Sequence, residues 1–529
     1  MPNTTNVSNT TISLTDGSSL IVTGTNDTVL VNSGWVQLNT PGGTITVNGT
    51  SDTLSVVSNF STAVINGSGN AVSLAGTLDT VTLNGSNETV IIGASAPNAV
   101  VNLNGTGSTV TGGTSAMAAA VVLSGAGNAA TVVGDGYWVT LAGASETVTL
   151  SGTGDRLILS GNYITLNTSA AISATLSGVS DTVTLGGNGV SATLSGTYDV
   201  ATLTGSGTNV GMYGNQNTVS ASGSTIQVAT IVNGTAAVLG SSDTISVSGN
   251  QNVVTVTGNN EAVTVSGTSD RVTITGDNST VTVNNSYDTV TVNGNNATLT
   301  LTGAAESLSL SGTGDMVTLS GTGTYATVTT ANAASFTLTN GWSGETLNTS
   351  GSNVTVGAYS NALIINGNGN TVSVTHTVDT VTLNGSNETV NLAASSSSAQ
   401  IYLNGTGSTV TGGVPAMSAA VALSGAGNSA TIVGNGYGVT LAGASETVTL
   451  IGSSDRLTLS GNYITLNTSS AIAATLSGVS DTVTLGGNGV SATLSGTNDV
   501  ATLSGSGTYV GMYGNQNTVS ASGSTIQVA

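Results

Sequence analysis

The chain has 529 residues, of which 5% are charged, with three Lys plus Arg against 24 Asp plus Glu and a formal net charge of −21. Three basic residues cannot replace the counterions of a phosphate backbone, so the composition excludes nucleic acid as a partner and argues against anionic membrane surfaces. No Cys is present, which removes disulfides and thiolate metal sites, while 38% hydrophobic residues alongside 74 Gly make the chain too apolar for a disordered linker.

Residues 1–23 carry neither the basic start nor the apolar run of a signal peptide. They read as an N-terminal segment, a cap or docking strand, ahead of a continuous repeat array over 24–529. No stretch of about 18 apolar residues follows that could insert in a membrane as a helix. Nine-residue units begin at Gly24, Gly49, Gly67, Gly76 and Gly85, then give way to expanded pieces at Ala94–Asn104 and Thr114–Ser124. Units resume from Gly125, interrupted by the longer variants Gly161–Ser177 and Gly223–Leu239, in which one turn has lost its glycine. From Gly249 to Thr329 nine units follow without a gap, from GNQNVVTVT to GTGTYATVT. Their consensus is G-x-x-[DNE]-x-V-T-[VIL]-[STN]. A larger period lies over the first, since residues 81–229 recur at 381–529 with about 120 of 149 positions identical, both copies ending in GSTIQVA.

Each unit predicts one short strand and one turn. Positions 6 and 8 are apolar and position 7 is Thr, the period-2 pattern of a half-buried strand built from β-branched residues. Positions 1 to 4 are Gly, Thr, Asn, Ser and Asp, which suit turns. A five-residue strand cannot bury its apolar face alone. Two units per coil, about 18 residues per rung, place two parallel sheets face to face over a Val and Leu core. The expected fold is therefore all-β, a parallel β-solenoid of β-roll or β-helix type, with roughly 29 rungs at about 4.8 Å each and a length of about 140 Å. An antiparallel sandwich or propeller would need type I′ hairpin turns or longer connections, which a fixed nine-residue step does not supply.

Two units, GTGDRLILS at Gly152–Ser160 and GTNDTVLVN at Gly24–Asn32, resemble the calcium-binding hemolysin-type (RTX) nonapeptide of secreted bacterial proteins. Five residues rather than three separate the acid from the next Gly, so two residues have moved from turn to strand and the calcium turn is missing. The pattern more closely resembles the calcium-free β-strand repeats of large bacterial surface and adhesin-like proteins. That resemblance implies secretion without an N-terminal signal, an extracellular or cell-surface location, and a structural or adhesive role toward a cell surface or polysaccharide.

About 20 of the 24 acids fall at position 4. On an 18-residue coil Asp270, Asp288 and Glu306 would stack along one edge, where like charges about 4.8 Å apart repel by roughly 1 kcal/mol even in water. A divalent cation such as calcium would relieve this. The plainer reading is that Asp, Asn and Ser share the slot because each closes the turn through a side-chain bond to backbone. On either reading the charge lines the edges of a rod. Position 7 forms an outward ladder of Thr255, Thr264, Thr273, Thr282, Thr291, Thr300 and Thr318, which resembles the threonine rows of ice-binding solenoids. Position 5 beside it also holds Arg271, Met316, Tyr325 and Trp138, which break a flat lattice-matching surface.

Catalytic chemistry has little to work with. No Lys, no G-x-S-x-G elbow and no carboxylate beside a general base occur, and His376 stands alone at a turn. Arg156, Arg271 and Arg456 each follow an Asp, which predicts weak surface pairs. The expectation is a structural protein rather than an enzyme, without cofactor. Open solenoid ends predict self-association head to tail into a fibre, stalk or matrix filament. Ice binding and a calcium-dependent adhesin region are the alternatives.

Overall fold

The computed structural model describes all residues except 1, 113–118, 134, 169–171, 230–233, 322–324, 340–343, 358–361, 377–378, 413–418 and 469–471. Part of the expanded piece Thr114–Ser124 therefore lies outside the described residues. Two compact units emerge, Met1–Ala262 and Val263–Ala529. Within each, consecutive strands alternate between two sheets, and each strand pairs in parallel with the next but one. In the first unit Thr53–Val56 pairs with Ala71–Leu74; in the second Thr280–Val283 pairs with Thr298–Leu301. Both steps are 18 residues, so the parallel β-solenoid is the fold. The hairpin alternatives fall, because every pairing among the described strands is parallel.

The alternation of the repeat explains the burial. In Thr280–Val283, Val281 and Val283 are buried while the two threonines face outward. Stacked Val, Leu and Ile columns fill the interior along each unit. Residues 1–23 join this pattern: Asn3–Thr5 pairs with Leu20–Val22, and Thr11–Ser13 pairs with Thr28–Leu30. Phe336, fully enclosed between Val317 and Val354 on the neighbouring rungs, is the largest side chain in its column. Phe336→Ala is expected to lower stability by about 3–5 kcal/mol, read from urea unfolding.

The step is not rigidly 18. Thr80–Leu83 pairs with Val100–Leu103 at a step of 20, whereas Arg156 pairs with Ser173 at 17 and Asn209 with Thr225 at 16. Turns absorb the difference while strands keep register. Where the coil is longest, Tyr137 and Tyr437 fill the interior, and a Cβ on Gly112 would stand 3.1 Å from the Tyr137 hydroxyl.

Within the turn, two glycine positions have different causes. The third turn residue sits in the left-handed region: Gly107 at φ 68°, Asn87 at φ 59°, even Tyr163 at φ 60°. The first turn residue is glycine because successive rungs touch there. A Cβ on Gly85 would lie 1.1 Å from the carbonyl oxygen of Gly67.

Polar side chains extend the backbone ladders. At the end of one strand column the Asn66 amide donates to Asn48 Oδ1, Asn84 to Asn66 and Asn104 to Asn84, each at 2.8 Å, and the Ser124 hydroxyl closes the row on Asn104. The second unit repeats it through Asn348, Asn366, Asn384, Asn404 and Ser424.

Candidate functional site

The position-4 acids form the densest chemistry in the protein, and the structure turns them inward. Asp52, Asp79, Glu88, Glu146, Asp181, Asp199, Asp288 and Glu306 are all buried. In all of these but Glu146, one carboxylate oxygen accepts the backbone N–H of the same slot on the preceding rung; neither Glu146 oxygen is bonded in this way. Gly34 N–H donates to Asp52 Oδ1 at 2.9 Å, Ser61 N–H to Asp79 Oδ1 at 2.9 Å, and Asp181 N–H to Asp199 Oδ1 at 3.1 Å. Asn and Ser substitute without breaking the chain: Asp52 N–H donates to Asn70, Asn70 N–H to Glu88, Glu88 N–H to Ser108, and Ser108 N–H to Asn128. The slot is thus a side-chain cap for a buried backbone donor that would otherwise be unsatisfied. The expected bond to backbone is present, but it joins two rungs.

The second oxygen sets the electrostatics. Where Asn occupies the slot, its amide donates to the first-turn carbonyl of the preceding rung: Asn217 to Gly196 at 3.1 Å and Asn370 to Thr349 at 3.0 Å. Ser61 reaches the Thr40 carbonyl in the same way. An acid puts oxygen there instead. A Cβ on Gly196 would stand 2.1 Å from the Gly178 carbonyl oxygen and 2.6 Å from Asp199 Oδ2, so the two oxygens flank one point. Asp199 Oδ2 has no hydrogen-bond partner among the described residues, nor do Asp52 Oδ2, Asp79 Oδ2, Asp288 Oδ2 or Glu306 Oε1.

Burial accordingly pushes these carboxyls up. Glu146, Glu306 and Glu446 rise to about 8, Glu88, Glu261 and Glu388 to about 7, and Asp181, Asp199, Asp243, Asp288 and Asp481 to about 6, in each case chiefly through desolvation. Neighbouring acids add to it for Glu306, which faces Asp288. Asp135, exposed in a turn, goes the other way, because the Thr153 N–H and hydroxyl hold its carboxyl below the usual range.

The structure corrects the expected placement of charge on the turn edge. Asp270, Asp288 and Glu306 do stack, with Asp270 N–H donating to Asp288 at 2.8 Å and Asp288 N–H to Glu306 at 3.0 Å, but all three are buried. Position 4 has the parity of the apolar positions 6 and 8, so its side chain enters the core. Ile164, Ala297 and Tyr137, which are also buried in this slot, carry the same signal in the sequence. Among the described residues no three His, Asp or Glu side chains converge to hold a metal ion.

The outward faces differ from a uniform threonine lattice. Thr273 pairs with Thr291 on one sheet of the second unit, and Thr282 with Thr300 and Thr318 on the other. Thr255 and Thr264 face outward on their own strands. In the adjacent column Thr280 and Thr298 are followed by exposed Met316. The expected Asp–Arg pairs do not form at Arg156 and Arg456, because successive residues point to opposite faces and Asp155 and Asp455 are inside. Arg156 instead lies over the exposed Trp138 ring, 5.3 Å from its centroid. Trp138→Gly, the residue at 438, is expected to change stability by about 1 kcal/mol or less in urea unfolding. His376 sits half-buried beside the Thr375 hydroxyl at 3.3 Å. No helix among the described residues is long and apolar enough to cross a membrane.

No family model matches the chain, and no curated protein matches it.

Proposed function

We propose that the protein is a non-catalytic extracellular scaffold, a β-solenoid that joins end to end into a fibre, stalk or matrix filament. The inward carboxylates support this reading, since they serve neighbouring rungs rather than a ligand. The observation that carries it is the parallel ladder within each unit, in which one rung templates the next: Thr282 pairs with Thr300 and Thr300 with Thr318, and the position-4 side chain of one rung accepts the backbone N–H of the rung before it, as Asp288 does for Asp270. A strand column that bonds in the same register at every step is a template for further strands.

Electron microscopy and sedimentation of the purified chain over a concentration series test this. Fibres or end-joined rods that lengthen with concentration are expected; dispersed single rods throughout would overturn the reading. The fold itself is expected to be independent of metal. Excess chelator should leave the β-type circular dichroism and the melting temperature unchanged, whereas a calcium-dependent adhesin region would lose both.

A further inference from the structure

Four glycines lie inside the described strands: Gly211, Gly344, Gly438 and Gly511. None has a left-handed φ, so backbone conformation does not call for glycine there, and glycine inside a strand forfeits both entropy and packing. Three of the four lie against a tyrosine ring. A Cβ on Gly211 would stand 2.6 Å from Tyr213 Cε2 and 3.2 Å from its hydroxyl oxygen, a Cβ on Gly511 the same distances from Tyr513, and a Cβ on Gly344 3.0 Å from Tyr325 Cδ1. The missing side chain is room for the ring. Gly211 holds position 7, where the rung before it has Thr193. Tyr213 shares its outward parity, so the ring folds back along its own strand onto Gly211 while the residue stays 42% exposed.

That ring borders an open groove of about 230 Å³, rimmed by Thr193, Asn209, Thr225 and Gln227. The Tyr213 hydroxyl stands 3.5 Å from Gln227 Oε1. No charged residue lines the groove. The backbone beneath it is already committed, since Asn209–Met212 pairs with Ser191–Leu194 on one side and with Thr225–Val228 on the other.

We infer that this groove binds a neutral polysaccharide, with one sugar ring stacked on Tyr213 and its hydroxyls bonded by the Asn209 and Gln227 carboxamides and the Thr193 and Thr225 hydroxyls. An aromatic face takes up the C–H face of a sugar ring, carboxamides donate and accept as neighbouring sugar hydroxyls do, and a lining without charge favours neither an acid nor a base. A peptide adding as a strand needs unpaired backbone groups at a sheet edge, which a groove in mid-sheet does not offer. A nucleic acid would bring phosphates that three basic residues cannot neutralise. The groove lies on the outward face of one unit, so its role goes beyond the scaffold reading and does not depend on end-to-end joining. In the second copy Tyr509 replaces Asn209, and its hydroxyl donates to Gln527, which gives a second ring in place of a carboxamide.

Affinity electrophoresis tests this, on protein below the concentration at which it joins end to end, in gels containing hydroxyethyl cellulose, galactomannan or dextran as neutral polymers and alginate as an acidic one. Retardation by at least one neutral polymer, and not by alginate, is expected. Tyr213→Ala with Tyr513→Ala should weaken it about tenfold or more. Gly211→Thr with Gly511→Thr restores the residue usual at position 7 and displaces the ring, so it should weaken binding as far while the melting temperature holds or rises. Retardation by none of the polymers, by alginate in preference to the neutral ones, or equally in the wild type and both double variants would overturn the inference and leave the fibre reading untouched. A wild type that binds a neutral polymer yet stays a single rod at every concentration would overturn the fibre reading alone.

Discussion

Thermal unfolding is expected to be most favourable to the native state near about pH 4 and to weaken steadily toward about pH 9. The cause is the inward acid column. Glu146, Glu306 and Glu446 carry folded values of about 8 against an ordinary value of 4.5, and Asp181 and Asp199 values of about 6 against 3.8. A carboxyl raised on folding binds its proton more tightly in the native state. Its stabilising effect is complete below the unfolded value and is lost as pH rises through the folded one, here from about pH 4 to about pH 8. A tenfold change in proton affinity is worth about 1.4 kcal/mol, so even after a strong discount for solvent screening each such carboxyl contributes on the order of 1 kcal/mol. Protonation supplies what the geometry lacks, a donor between the second oxygen and the first-turn carbonyl. Glu146→Gln, Glu306→Gln and Glu446→Gln combined should flatten the pH profile and exceed the wild type in melting temperature at about pH 9. Asp199→Ala, by contrast, should cost about 1–3 kcal/mol at acidic pH, because it strands the buried Asp181 N–H. A melting temperature that climbs between pH 5 and pH 8 would contradict this account of the column.

The second large effect is expected from a single methyl group. Gly85→Ala places a Cβ 1.1 Å from the Gly67 carbonyl oxygen and 2.5 Å from Glu88 Oε1. Backbone cannot move aside there without parting two rungs, so a loss on the order of 3 kcal/mol or more is expected. Gly127→Ala serves as the contrast. Gly127 has open space around its Cα and φ 67°, so only the left-handed conformation is penalised, by about 1 kcal/mol. In a solenoid each rung touches only its neighbours, so hydrogen exchange should report opening near residues 67–106 in Gly85→Ala while distant rungs stay protected. Equal effects from the two substitutions would mean that rung contact is not what selects the first glycine.

The rung architecture was legible because position 6 and position 8 repeat at a fixed step, and nothing but a wound parallel fold buries both. The candidate site was legible in location but not in direction. Reading Asp270 and Asp288 as turn residues placed them on the edge, whereas their parity with Val272 and Val290 puts them inside. Turn composition and strand parity disagree at this slot, and parity wins because the chain is already extended there. The buried donors that these acids cap lie 17 to 19 residues away, 18 for Asp199 and Asp288, so no local pattern discloses them. The two causes of glycine were equally hidden, since steric contact between rungs and a left-handed φ select the same residue. Threonine does stack from rung to rung, as Thr282 on Thr300 shows, while Met316 and Arg271 stand in the flanking columns.

The asparagine rows carry a consequence for chemical ageing. Asn48, Asn66, Asn84, Asn104, Asn366, Asn384 and Asn404 each precede a glycine, the dipeptide in which the following backbone nitrogen most readily attacks the side-chain amide and releases ammonia. In the rows, each bonded carboxamide is tied to the next rung, and its backbone is held extended at a strand end. The ring closure needed for that loss is opposed at every rung at once. Unfolded or frayed chain would shed the amides and gain carboxylates that can no longer donate to the neighbouring rung and that repel one another along the row, so the same rows that align the rungs also set the protein's shelf life.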